Sequence, residues 1–162
     1  MDDVHADWQQ WFDRHGPALT LFARQRVGSY ADAEDVVQSA FVRFWKNRKT
    51  ARDPLTYLYS CVASVANDLH RSDSRRRERE RKAWFIRPPD TNEEPAFEPN
   101  EIEQAMSTLP EEQRDVIVLK VWGGLTFKAV AEVLSIPANT AASRYRYAIE
   151  SLKSQLSQEA AS

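Results

Sequence analysis

A proline-rich, acidic stretch constrains this chain most, because neither a helix nor a strand continues through it. Four of the eight prolines lie between positions 88 and 99. The stretch also holds Asp90, Asn92, Glu93, Glu94 and Glu98. It predicts a linker over residues 84–100, with a domain over 1–83 and another over 101–157, sizes at which small helical domains can fold.

Apolar residues on both sides of this linker recur with helical spacing, and no sustained run shows the period of two that marks a strand. The most regular stripe consists of Val36, Val37, Ala40, Phe41, Phe44 and Trp45. Asp53 and Pro54 predict an N-cap and first position of another helix. The sequence therefore predicts an all-α fold with two small helical domains joined by an acidic, proline-rich linker.

Finer expectations follow for the first domain. Gly16-Pro17 is expected to interrupt the first helical segment, with Pro17 in the first turn of a second helix. The helix that begins at Pro54 is expected to bury a stripe that includes Leu58 and Val62. Its other face is expected to carry Tyr59, Ala63, Asn67, His70, Arg71 and Ser74.

The second domain is expected to contain four helices. Asn100 is a candidate cap for a helix that buries Ile102, and a second helix runs from Pro110 to Trp122. Gly123-Gly124 ends that helix, because glycine tolerates left-handed backbone. Thr126 caps a short helix, and a last helix follows Pro137. Two short helices joined by a tight turn predict a helix-turn-helix.

The exposed face of that last helix is the candidate surface for reading DNA, since a helix fits the major groove. Ser143 and Arg146 suit base edges, while Thr140 and Arg144 suit phosphates. The complete candidate set is Asn139, Thr140, Ser143, Arg144, Arg146 and Tyr147. An ordinary solvated face of a helical hairpin remains the alternative from spacing alone.

Composition argues against several other classes. The single cysteine, Cys61, excludes an intramolecular disulfide and a multi-cysteine zinc site, and it favours a reducing cytoplasm. The three histidines have neither metal-ligand nor triad spacing, so we expect no enzyme, no cofactor and no small-molecule substrate. The net charge of -2 argues against binding nucleic acid through bulk charge, although seven basic residues cluster between Arg71 and Lys82.

Two blocks of sequence resemble one family. Several segments near the C-terminus are together similar to region 4 of extracytoplasmic function sigma factors. They are Leu109 to Arg114, Gly124 to Phe127, Ala131 to Pro137, Asn139-Thr140-Ala141 and Ser143-Arg144. Upstream, Ala33-Glu34-Asp35-Val36-Val37-Gln38, with Phe41 and Trp45, resembles region 2 of the same family. The order and spacing of the blocks agree, and the resemblance covers nearly the whole chain.

The resemblance implies two roles for the first domain. Its region 2 helix would dock on the clamp helices of the largest subunit of RNA polymerase through Asp35, Gln38, Ser39 and Val42. A solvated helix surface is the alternative for that face. The minus-ten promoter element would be recognised and opened by a second set, which comprises Arg48, Lys49, Arg52, Tyr57, Asn67, His70, Arg71 and Arg75. The basic run around Arg75 could instead only solubilise a helix end.

For the second domain the resemblance implies reading of the minus-thirty-five element and contact with the polymerase flap region. Promoter DNA, core RNA polymerase and an anti-sigma factor are the implied partners. The protein would be cytoplasmic, with the option that the anti-sigma partner holds it at the membrane. The linker would thread through the polymerase, although an extended, solvated linker explains its composition equally well.

The chain departs from the family pattern at several positions. It has Tyr57 for tryptophan, Ser64 for asparagine, Ala129 for glutamate, Asn139 for glycine, Ala142 for a basic residue and Tyr147 for arginine. These departures put the promoter sequence in doubt rather than the fold. A helix-turn-helix regulator that does not dock on polymerase is the alternative function, but it leaves the Asp35–Gln38 block unexplained. An adaptor that binds only protein would need neither basic run nor recognition face.

Overall fold

The computed structural model describes the backbone of residues 4–81 and 101–161, and side chains of residues 7–69, 101–102 and 104–158 within them. In these ranges the chain forms seven α-helices, one π-helical turn and no strand. The helices are α1 (Val4–Arg26), α2 (Tyr30–Asn47), α3 (Pro54–Arg81), α4 (Glu101–Ser107), α5 (Glu111–Ile117), α6 (Phe127–Leu134) and α7 (Ala138–Ala161), and the π-helical turn Val118–Trp122 directly follows α5. The all-α prediction is confirmed.

The chain separates into two compact units, Met1–Pro95 and Ala96–Ser162. Each unit has its own core, as expected from the break in composition between them. The predicted linker, residues 84–100, lies outside the described residues, and the domain limits at residues 83 and 101 remain predictions.

The core of the N-terminal unit is aromatic and lies between α1, α2 and α3. The predicted stripe on α2 is confirmed: Val36, Val37, Ala40, Phe41 and Phe44 are buried. Trp8 on α1 packs edge-on against the rings of Phe41 and Trp45, at centroid distances of 4.5 and 5.2 Å. Ser29 caps α2, because its side chain accepts a hydrogen bond from the backbone N–H of Asp32 at 3.1 Å.

The predicted break at Gly16-Pro17 is wrong, since α1 continues through Pro17. A proline inside a helix removes one backbone hydrogen bond and crowds the preceding turn. Packing on both sides of the proline outweighs that cost, because Trp8 precedes it in the core while Leu19 and Phe22 follow it fully buried. Pro17 is exposed, and so is Asp13, the residue whose carbonyl has no proline N–H to accept from.

The predicted faces of α3 need a second correction. Tyr59 and Ala63 were expected on a face apart from the core, but both are buried. Helix α3 packs against both α1 and α2, so it buries a wider arc than one stripe. The Tyr59 ring lies 5.9 Å from that of Phe22 on α1. The predicted start is confirmed: Asp53 accepts hydrogen bonds from the backbone N–H and the hydroxyl of Thr56, at 3.3 and 2.6 Å.

In the C-terminal unit, the long helix α7 packs against α4, α5 and α6. Thr126 caps α6 as predicted, accepting from the backbone N–H of Ala129 at 3.1 Å. Gly124 has a φ of 67°, the left-handed conformation predicted after the second helix of this unit. The helix at Asn100 was also expected to bury Ala105 and Leu109, and both are buried, but Ile102 is 50% exposed, so its predicted burial is wrong. The proposed cap Asn100 lies outside the described residues.

Candidate nucleic-acid and protein interfaces

Helix α2 presents an exposed face opposite its core stripe. All four predicted docking residues, Asp35, Gln38, Ser39 and Val42, are exposed. Their spacing places them on one side of the helix, with an acid, an amide, a hydroxyl and an aliphatic group side by side. Val42 is 47% exposed, so this face carries an accessible aliphatic side chain among its polar ones. The structure thus brings this predicted set together.

Arg43 extends this surface and was missed by the sequence analysis. It is exposed on α2, and its Nη1 donates a hydrogen bond to the hydroxyl of Ser64 on α3 at 3.3 Å. Asn47 donates from its side-chain amide to the Arg43 carbonyl at 3.1 Å. The signal that could have found Arg43 is its spacing, four residues after Ser39. It links the exposed face of α2 to the exposed side of α3.

The connection between α2 and α3 carries three of the predicted cations. Lys49 and Arg52 are exposed. Arg48 is half-buried: its guanidinium lies 3.8 Å from the centroid of the Trp45 ring, and it also donates to the Trp45 carbonyl. Two cations of this loop are therefore open to a polyanion, while the third packs on the core.

Tyr57 lies in the first turn of α3 beside this loop and is half-buried. Its ring centroid is 6.2 Å from that of Phe44. Burial, reinforced by a hydrogen bond with Cys61, raises the pKa of the Tyr57 phenol. Asn67 is exposed further along α3. His70, Arg71 and Arg75 continue the same helix in backbone, but their side chains lie outside the described set.

The predicted helix-turn-helix consists of α6, a turn at 135–137 and α7. Ser135 ends α6 in the left-handed conformation, with a φ of 56°. On α7, Asn139, Arg146 and Tyr147 are exposed. Thr140, Ser143 and Arg144 are half-buried. The predicted recognition set therefore lies on one helix that is open to solvent along one side.

Arg146 and Tyr147 form a pair on that open side. The guanidinium carbon of Arg146 lies 5.5 Å from the centroid of the Tyr147 ring, within the range of a cation–π interaction. Tyr147 is 56% exposed, so much of the ring remains accessible. The spacing of the sequence placed both residues on one face but did not reveal that they interact.

A second exposed apolar feature was missed altogether. Val121 and Trp122, in the π-helical turn after α5, are 53% and 44% exposed. Lys120 in the same turn places its ammonium 4.5 Å from the centroid of the Phe127 ring. A 3.6-residue period cannot reveal a π-helical turn, because the wider turn shifts every later side chain around the axis.

Within the described ranges, no group of three or more histidine, cysteine, aspartate or glutamate side chains is arranged to hold a metal ion. No described helix is both long and apolar enough to cross a membrane.

Comparison with known proteins decides the family. The model of sigma-70 region 2 matches residues 11–76, and that of sigma-70 region 4 matches residues 100–152. The ECF RNA polymerase sigma factor SigL of Mycobacterium tuberculosis is 28% identical over 151 residues, which cover 88% of this chain and 84% of SigL. The chain belongs to the ECF sigma factors of the sigma-70 family.

Other relatives of this sigma factor agree. The ECF RNA polymerase sigma factor EcfG of Rhodopseudomonas palustris is 27% identical, over 86% of the chain and 80% of EcfG. Among solved structures, the fold resembles RpoE in complex with the anti-sigma factor NepR from Bartonella quintana, with a TM-score of 0.65, 22% identity and coverage of 93% and 97% of the two chains. It also resembles CnrH in complex with the cytosolic domain of CnrY, with a TM-score of 0.60, 24% identity and coverage of 95% and 90%.

These comparisons confirm the predicted family and the sigma factor function, and they do not favour a regulator that leaves polymerase alone. The assignment of individual residues to polymerase, to the minus-ten element and to the minus-thirty-five element stays a prediction.

Proposed function

We propose that this sigma factor divides its work between its two units. The N-terminal unit docks on core RNA polymerase and opens the minus-ten element, and the C-terminal unit reads the minus-thirty-five element. The observation that carries the proposal is that one chain presents an exposed α2 face and an exposed α7 face on separately packed units. Neither unit alone initiates transcription on this proposal.

The α2 face suits a protein partner better than DNA. It combines Asp35, whose charge would repel phosphates, with the neutral Gln38 and the exposed aliphatic Val42. A mixture of apolar and polar groups is usual in protein interfaces that form and dissociate. This composition supports docking on the clamp helices of the largest polymerase subunit.

The loop after α2 suits DNA. Lys49 and Arg52 are the exposed cations that would contact phosphates, with salt-dependent strength. Tyr57 offers an aromatic surface for an unpaired base, and Asn67 offers a polar group further along α3. His70, Arg71 and Arg75 continue this proposed track by sequence. Arg48 supports the loop from within by packing on Trp45.

The docking step is tested with Asp35→Arg combined with Gln38→Ala. This double variant should lose most of its capture by purified core polymerase, because a reversed charge enters the centre of the interface. Glu34→Arg is the matched control, since it reverses an exposed acid on the same helix but to the side of the face. Capture of core enzyme equal to that of the unaltered protein would contradict the assignment.

The complete function is tested by run-off transcription with purified core polymerase on genomic promoter fragments. The unaltered protein should produce discrete transcripts that core enzyme alone does not, and the docking variant should produce none. Lys49→Ala with Arg52→Ala should keep capture of core enzyme yet reduce transcript yield. A yield unchanged in this second variant would remove the loop from the proposed minus-ten contacts.

The proposal includes partners beyond promoter DNA. RpoE was solved in complex with the anti-sigma factor NepR, and CnrH in complex with the cytosolic domain of CnrY. By analogy we propose an anti-sigma factor for this chain, and contact of the C-terminal unit with the polymerase flap. The working place is the cytoplasm, where such a partner could also hold it at the membrane. Catalysis of RNA synthesis belongs to the polymerase, so the chain itself is not an enzyme.

A further inference from the structure

We propose that Tyr147 reads the 5-methyl group of a thymine in the minus-thirty-five element, and that it holds Arg146 in position for a neighbouring base. This inference rests on the proposed function of the C-terminal unit as the reader of that element. It assigns a base preference to one position of the recognition helix.

The first observation is where Tyr147 lies. It is on α7, four residues after Ser143 and eight after Asn139, so it shares their side of the helix. More than half of the side chain, 56%, is exposed. Ala141 and Ala148, which are buried on the same helix, mark the side that packs into the unit, and that side lies about 100° or more around the helix axis from Tyr147. The Tyr147 ring is therefore directed to the face proposed for the major groove.

The second observation concerns charge. Position 147 is a tyrosine and position 142 of the same helix is an alanine, so neither offers the cation that an arginine or a lysine would present to guanine. Arginine forks onto the N7 and O6 acceptors of guanine, and a tyrosine with one hydroxyl cannot reproduce that geometry. An aromatic ring instead contacts the thymine methyl, the apolar group that the major groove presents. The side chain of Tyr147 is therefore better suited to thymine than to guanine.

The third observation is the pairing with Arg146. Its guanidinium carbon lies 5.5 Å from the centre of the Tyr147 ring. An arginine held against a ring has fewer conformations to lose when it binds a base. Tyr147 is therefore a positioning residue for Arg146 as well as a contact, and the two effects can be separated by substitution.

The experiment uses holoenzyme assembled from core polymerase and full-length chain, with duplexes randomised over the minus-thirty-five region. Unaltered protein and Tyr147→Phe should enrich thymine at one shared position. Tyr147→Arg should enrich guanine there, and Tyr147→Ala should lose the preference. Tyr147→Leu should keep thymine but broaden the preference at the neighbouring position read by Arg146. Glu112→Ala, an exposed change on α5 outside the helix-turn-helix, is the control that should leave every preference unchanged.

A second arm replaces the enriched thymine by uracil, which removes only the methyl group. Binding by unaltered holoenzyme should weaken about threefold to fivefold, the value of one buried methyl group, and binding by Tyr147→Ala should not change. Equal affinity for thymine and uracil, or an unchanged preference in Tyr147→Arg, would overturn the inference and leave the proposed function intact. Failure of unaltered holoenzyme to enrich any sequence would instead overturn the proposed role of the C-terminal unit.

Discussion

Polar side chains of the N-terminal unit fall into two groups, those held by the fold and those left open to a partner. Neighbours in sequence can belong to different groups. Arg48 packs on Trp45 and donates to its carbonyl, whereas Lys49, the next residue, is exposed. Tyr59 lies fully inside the core, whereas Tyr57, on the same helix, is half-buried beside the loop. A basic or aromatic residue near a proposed DNA surface is therefore not by itself a DNA contact.

Arg48→Ala and Lys49→Ala should separate these two groups. Loss of the Arg48 stacking on Trp45 should lower the free energy of unfolding by about 1 kcal/mol. Lys49→Ala removes an exposed charge, so it should leave that free energy nearly unchanged and weaken binding of holoenzyme to promoter DNA. Urea unfolding measures the stability of each variant, and a filter-binding titration measures the binding of its holoenzyme to promoter DNA. Equal stability of both variants would show that the Arg48 contact contributes nothing.

Tyr59→Phe should tolerate alkaline pH better than the unaltered protein. Burial raises the pKa of Tyr59 from 10.0 to about 12. Between these values the unfolded chain loses a proton that the folded chain keeps, so the free energy of unfolding falls as pH rises, by up to about 3 kcal/mol. Phenylalanine cannot ionise and should lack this part of the decline.

The measurement is urea unfolding at pH 9 and again near pH 11 for both proteins. At pH 9 the variant should be at least as stable, because the Tyr59 hydroxyl has no hydrogen-bond partner among the described residues and its burial is unfavourable. Identical declines for the two proteins would contradict the attribution to Tyr59.

Whole helices were predicted well where a local signal decides their ends. Asp53 and Thr126 cap α3 and α6 because each side chain reaches a backbone N–H three residues on, an arrangement visible in sequence. Pro17 misled the prediction, because whether a helix survives a proline depends on the packing of residues on both sides. The buried arc of α3 was underestimated for a similar reason, since two neighbouring helices cover it.

The candidate surfaces show the same division. Helical spacing placed Asp35, Gln38 and Val42 on one exposed face, and it placed Arg146 and Tyr147 together on α7. Spacing could not reveal interactions that depend on side-chain conformation, such as Arg48 on Trp45. It could not reveal the π-helical turn that exposes Trp122 either, because that turn breaks the period itself.

Two glycine substitutions should shift the free energy of unfolding in opposite directions. Gly124→Ala should destabilise by about 1 kcal/mol, because its φ of 67° is strained for a residue with a side chain although the space is open. Gly16→Ala should stabilise by up to about 1 kcal/mol, because it lies inside α1 and the added Cβ would meet Phe12 at an ordinary 3.9 Å. Thermal unfolding of each variant shows whether its melting temperature rises or falls. Two shifts in the same direction would contradict the backbone argument.

The molecule as a whole has no excess of positive charge. Its net charge is -2, and among the α7 residues proposed to read DNA only Arg144 and Arg146 are cations. On the proposed function, a chain with this distribution would depend on the polymerase to bring it to DNA. If both units were held on the same polymerase, their contacts with DNA would add together. Neither unit would then need a large positive charge of its own.

The salt dependence of binding should reflect this distribution. For the free chain and a promoter duplex, the logarithm of the association constant should fall with the logarithm of salt concentration with a slope of about 3, because three described cations, Lys49, Arg52 and Arg144, are proposed to contact phosphates. Arg144→Ala should reduce the slope by about 1, and Tyr147→Leu should leave it unchanged. Fluorescence anisotropy between 50 and 200 mM salt measures it. A slope several times steeper would reveal a larger cationic surface than the one described.

The single cysteine has a consequence of its own. Cys61 is 3% exposed on α3, and burial raises the pKa of its thiol. Alkylating reagents attack the thiolate, so a folded N-terminal unit shields this group both by access and by ionisation. The rate at which Cys61 is alkylated should therefore report how often the N-terminal unit opens. That rate should fall when a bound partner keeps the unit closed.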